Sequence, residues 1–123
     1  MRYPTALILC LLFISCYNPE RNCEDFKTGT FEFEVYLEGD LVKTTFIRND
    51  TIEIEIYKDK RDTASIRWIN DCEYILKSLK PKNLAEEKPI HMKIISTSNN
   101  SYTFEYKIVG KNNKQKGRGV KVD

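Results

Sequence analysis

The chain holds a single histidine, His91, and a single tryptophan, Trp68, and neither lies in a recognisable motif. With one histidine there is no His-x-x-x-His pair, and a metal centre of about four ligands lacks donors. No glycine-rich phosphate loop and no Gly-x-Ser-x-Gly elbow occurs. No sign of charge dominates, since 20 Lys and Arg stand against 18 Asp and Glu for a formal net charge of +2. The concentrated basic face of a nucleic-acid binder is therefore missing. No apolar run approaches the about 20 residues needed to span a bilayer, and no stretch of helical period reaches about ten residues. These absences exclude the common catalytic constellations, so the chain is read as non-enzymatic, with no metal, no cofactor and no nucleic-acid partner.

What is present begins at the N-terminus. Met1 to Ala6 forms a short basic start, Leu7 to Ile14 is apolar, and Ser15-Cys16 follows. This order of segments reads as an export signal. Phe13-Ile14-Ser15-Cys16 resembles the lipobox of bacterial lipoproteins, whose cysteine sulfur carries a diacylglyceryl group. The expectation is removal of residues 1–15, lipidation of Cys16, and a polar tether through about residue 28. Multiple acyl chains would make a stable anchor, each buried methylene contributing about 0.8 kcal/mol. The expected location is the outer membrane of the cell envelope, on its periplasmic or its surface side.

Cys23 and Cys72 remain beyond the anchor. In an exported chain an isolated pair reads as a disulfide, with two free thiols or a metal site as the alternatives.

From Gly29 to the end the periodicity is two. Phe31, Phe33, Val35 and Leu37 alternate with polar residues, and Leu41 to Arg48 follows after a turn. Ile52, Ile54 and Ile56 alternate with Glu53 and Glu55, then Ala64, Ile66 and Trp68 share a face. Cys72 to Leu79, the face Ile90, Met92 and Ile94, the face Tyr102, Phe104, Tyr106 and Ile108, and Lys116 to Val122 complete the set. About eight short antiparallel strands with hairpin links predict an all-β domain over residues 29–123. A meander is the simplest topology, closing into a small barrel of lipocalin-like outline or staying partly open. A two-sheet sandwich is the alternative.

Register is ambiguous between Leu41–Arg48 and Ile52–Tyr57. A two-residue turn at Asn49-Asp50 sets Ile47 opposite Ile52 and brings Lys43 and Thr45 onto the core face. A three-residue turn at Arg48-Asn49-Asp50 sets Phe46 opposite Ile52 and Thr44 opposite Ile54. The second buries the better set and is preferred, with the barrel filled by Phe31, Phe33, Ile54, Trp68 and Phe104.

Candidate functional residues are few. Glu32 with Glu34, and Glu53 with Glu55, resemble a hydrolase pair, but a spacing of two places them on polar strand faces as hydrated carboxylates. His91, between Ile90 and Met92, is expected to face solvent. Tyr36 and Tyr57 run out of phase with the apolar residues and are candidates for a surface or ligand-contacting patch. Trp68 is expected in the core, with ligand stacking as the lesser role. Lys107 to Lys121 is basic, as suits a solvated edge or contact with anionic lipid.

Asp25-Phe26-Lys27-Thr28-Gly29-Thr30-Phe31, Arg48-Asn49-Asp50 and Trp68-Ile69-Asn70-Asp71-Cys72-Glu73-Tyr74-Ile75-Leu76 resemble a group of short Bacteroidetes (flavobacterial) lipoproteins. Some of that group carry the label "DNA topoisomerase IV", which an exported chain of this size and inventory contradicts. The resemblance implies O-glycosylation at Thr51 and Thr63, in the Asp-Thr-apolar triplets Asp50-Thr51-Ile52 and Asp62-Thr63-Ala64. The functional expectation is a lipid-anchored, non-catalytic envelope module that binds or assists an envelope protein or ligand. The alternatives are a lipocalin-like carrier and, by architecture alone, an envelope inhibitor.

Overall fold

The computed structural model describes residues 21–123 except Glu38, and for Val35, Tyr36 and Leu37 the backbone alone. The lipobox, Cys16 and Cys10 lie outside the described residues, as does the side chain of Tyr36.

Eight strands follow the period-two segments: β1 Gly29–Leu37, β2 Asp40–Arg48, β3 Ile52–Tyr57, β4 Lys60–Asn70, β5 Glu73–Ser78, β6 Ile90–Thr97, β7 Ser101–Ile108 and β8 Gln115–Lys121. Each pairs antiparallel with its neighbour, and β8 returns to β1 through Phe33 opposite Gly119, closing the barrel. The all-β meander expected from the sequence is present, and its closed form replaces the open-sheet and sandwich alternatives. Closure removes every sheet edge.

The β1–β2, β3–β4, β5–β6 and β7–β8 connections lie at one end, here the mouth. The β2–β3, β4–β5 and β6–β7 turns lie at the other, the base. A short 3-10 helix, Cys23–Phe26, sits at the base with Cys23 and Phe26 buried. The Phe26 ring packs 5.1 Å from that of Tyr102. Asn22 N–H donates to Thr97 Oγ1 at 2.8 Å, and Lys121 Nζ donates to the Asp25 carbonyl at 2.8 Å. Residues 22–26 thus form a plug at the base of the barrel. A disulfide joins Cys23 to Cys72, with Cα atoms 5.3 Å apart, stapling the plug to the β4–β5 turn.

The core joins Phe31, Phe33, Tyr74, Met92, Ile94, Tyr102 and Phe104, with Phe46, Trp68, Leu76, Ile90 and Tyr106 against it. Room for these rings comes from β8, where Gly117 and Gly119 take inward positions. A Cβ at Gly119 would stand 2.6 Å from Phe33 Cε1 and 2.7 Å from Tyr102 Cζ. A Cβ at Gly117 would meet Phe104 Cζ at 2.5 Å. The rings lie directly on strand backbone, so Gly119→Ala must displace two packed aromatics. The expected loss is about 1–3 kcal/mol of stability, the usual range for overpacking, read by denaturant melting. A variant as stable as the parent would contradict this packing.

The β2–β3 register corrects the three-residue-turn expectation. Ile47 pairs with Ile54, Phe46 with Glu55 and Arg48 with Glu53. Four residues, 49–52, make the turn: Asn49 N–H donates to the Ile52 carbonyl at 3.0 Å, while Asn49 Oδ1 accepts from Thr51 and Ile52 N–H at 2.9 and 2.8 Å. This side-chain-closed turn adds one residue to the preferred loop and reverses which face of β3 meets the core. The expected inner face of β2, with Thr44 and Phe46, survives and gains Arg48. On β3 the isoleucines point outward, Ile54 included, and the glutamates point inward.

Candidate functional site

The reversal of β3 places acidic groups inside the barrel. Arg48 and Glu53 face each other across the strand pair, with 2 % and 4 % of their surface exposed. Arg48 Nε donates to Glu53 Oε1 at 2.9 Å, and Nη2 lies 2.9 Å from the same oxygen. Nη1 donates to the Phe26 carbonyl at 2.8 Å, and Nη2 donates to the Tyr102 hydroxyl at 3.0 Å. The guanidinium carbon also sits 4.6 Å from the Phe31 ring centroid and 5.0 Å from that of Tyr74. Three elements therefore meet at one cation: the plug, the β2–β3 hairpin and β7. Burial pushes the Glu53 carboxyl above its ordinary range, and the charge of Arg48 offsets part of that.

Burial also pushes up both tyrosines beside this pair, Tyr102 to about 12 and Tyr74 well above its ordinary value, although Arg48 pulls each downward. An unfolded tyrosine ionises near about 10. Neutral Tyr74 and Tyr102 thus stabilise the fold fully below that pH and lose the contribution as pH rises through their folded values. An ultraviolet titration should show two tyrosines staying protonated until alkaline unfolding. All tyrosines of the folded protein ionising together near about pH 10 would contradict this.

Toward the mouth the interior opens. A cavity of about 360 Å³ lies between β3, β4, β5, β6 and the β5–β6 loop. Glu53, Glu55, Asp62 and Glu86 line it beside the apolar surface of Ala64, Leu76 and Ile90. The loop takes its shape from local capping: Asn83 Oδ1 accepts from Glu86 N–H at 2.9 Å, and Glu86 Oε2 accepts from Lys82 N–H at 2.5 Å. Burial, and then repulsion from Asp62, Glu53 and Glu86, raises the Glu55 carboxyl above its ordinary value. The hydrated-carboxylate expectation holds for Glu34, which pairs on the outside with Lys43 at 3.5 Å, and fails for Glu53 and Glu55. A second cavity of about 350 Å³ shares Ile90 and runs along Tyr106, Ile108 and Gln115 to Lys107 and Lys111.

The remaining sequence candidates separate. Trp68 packs against the core near the base, its ring 4.5 Å from Tyr74 and 5.0 Å from Lys27 Nζ, outside both cavities. Trp68 Nε1 and the Tyr74 hydroxyl are buried without a hydrogen-bond partner among the described residues. Tyr57 shares the side of Glu53 and Glu55 and is half-buried, with Lys58 Nζ 5.5 Å from its ring centroid. His91 lies on the outer side of β6, its Nε2 3.1 Å from Glu73 Oε1. Thr51 is exposed in the β2–β3 turn, whereas Thr63 is half-buried within β4. Among the described residues no group of three or more His, Cys, Asp or Glu side chains is placed to hold a metal ion.

Sequence reasoning missed the inward glutamates and the Arg48–Glu53 pair. A signal was available: Arg48 and Glu53 flank the Asn49-Asp50 turn, where a four-residue loop makes them cross-strand partners. The chain matches no protein-family model, no curated protein and no solved structure.

Proposed function

We propose that this chain is a lipid-anchored barrel of the cell envelope that binds a small organic ligand through its open end. The mouth cavity carries this reading. Its volume of about 360 Å³ falls within the range of small-molecule sites, about 300–1,000 Å³, and an apolar wall with a few charged groups is the common composition of such sites.

The anchor complements this arrangement. The chain enters the described fold at the base, beside Cys23 and Thr97. A lipid on Cys16 would leave a link of some six residues, spanning at most about 20 Å. The base would then sit close to the bilayer and the mouth would point away from it. The accessory-module and inhibitor readings draw no comparable support from the surface.

Native mass spectrometry of full-length protein extracted from its own membranes tests both parts. The expected result is a chain beginning at a lipidated Cys16 that carries a non-covalent small molecule released on unfolding. An unmodified, ligand-free chain in the cytosolic fraction would overturn the proposal.

A further inference from the structure

The cavity wall carries more carboxylates, Glu53, Glu55, Asp62 and Glu86, than cations. The Glu55 carboxylate has no hydrogen bond and no ion pair among the described residues. Glu53 is 4 % exposed and accepts from Arg48 at Oε1, while its Oε2 has no hydrogen bond among the described residues, on a side chain that lines the cavity. Asp62 meets Lys82 Nζ at 3.6 Å, a contact between side chains 49 % and 62 % exposed, which screening weakens. Lys88 is the lysine in the lining, and it has no ion pair among the described residues. Beside the acids stand Ala64, Leu76 and Ile90.

We propose that this cavity binds a small amphipathic cation, an organic ammonium or guanidinium with a short apolar body. The cation would sit among Glu55, Asp62 and Glu86 and could reach Glu53 Oε2, while its apolar part lies on Leu76 and Ile90. A bare metal ion fits less well, since these carboxylates do not converge on one point and half of the wall offers it nothing. Repulsion among carboxylates is unfavourable in the empty protein and is relieved when a cation enters. Sites organised for a ligand rather than for stability show this trade-off.

This inference rests on the ligand-binding reading above and refines it. The test uses the folded, disulfide-bonded protein and three probes of one size: n-hexylamine as its ammonium, n-hexanol and n-hexanoate. Binding is followed by backbone-amide NMR shifts of Glu55, Ala64, Leu76 and Ile90. The ammonium should bind about tenfold more tightly than the alcohol, the scale of one charge-assisted hydrogen bond, and hexanoate should bind least. Glu55→Gln should weaken ammonium binding by a similar factor while melting at the same temperature or higher, because it removes repulsion. That pairing separates a binding role from a structural one. Hexanol or hexanoate binding at these residues as tightly as the ammonium would overturn the cation assignment and leave the ligand-binding reading standing. Failure of all three probes to shift these residues would overturn both.

Discussion

Arg48→Met is expected to be the most damaging single substitution in the domain, lowering stability by about 3–5 kcal/mol. Glu53 would be left buried without its cation, and the Phe26 carbonyl and the Tyr102 hydroxyl would lose their donor. A small domain has only about 5–15 kcal/mol in total. The melting temperature should therefore fall by roughly 12–40 °C, taking about 4–8 °C per kcal/mol at this size. The double variant Arg48→Met/Glu53→Leu should recover part of the loss, because a buried ion pair can be replaced by apolar packing more cheaply than it can be broken. Recovery should be incomplete, since the Phe26 carbonyl stays without its donor. Thermal melting of the parent, both single variants and the double variant measures the coupling. Equal stability of Arg48→Met and the parent would show that the pair does not hold the base together.

Removing the Cys23–Cys72 bridge has the second largest expected effect. The bridge closes a sequence separation of 49 residues, for which the chain-entropy relation predicts about 4 kcal/mol, within the observed span of about 2–5. Cys23→Ser/Cys72→Ser should lose that much in denaturant unfolding. Its position also predicts where the loss appears first. Among the described residues the plug has only a few hydrogen bonds to the barrel, those of Asn22, Lys27, Lys121 and Arg48. Without the bridge it should open before the sheet does. Hydrogen exchange should accelerate at residues 23–27 and at the base turns, while the mouth ends of β3 and β4 hold their protection until global unfolding. Uniform acceleration along all eight strands would contradict a plug that opens by itself.

The strands were legible because a half-buried β-strand imposes period two, and each segment from Phe31 to Ile108 repeats it. Their order was legible because hairpin-length links leave a meander as the simplest path. Tyr102 and Phe104 were expected on the core face and are there. The face of β3 was not legible. Ile52, Ile54 and Ile56 look like core residues, and local pattern alone turns them inward. What turns them outward is the side chain of Asn49, which closes a four-residue turn, together with the need of inward Arg48 for a buried counter-ion. Both are pairwise requirements, invisible to a one-strand periodicity. The mouth cavity was hidden for the same reason, because its acids were assigned to solvent. The spacing of Gly117 and Gly119 at period two could have been read as space for facing rings, but which rings depends on closure of β8 on β1.

The orientation of β3 underlies the buried pair, the acid-lined cavity and the ligand class together. Through-space NMR contacts across the β2–β3 hairpin of the oxidised protein test it most directly. The account predicts contacts of Arg48 with Glu53 and of Ile47 with Ile54, with Glu55 near Leu76 and Ile90 inside the barrel. Contacts of Phe46 with Ile52 and of Thr44 with Ile54, with both glutamates facing solvent, would contradict it.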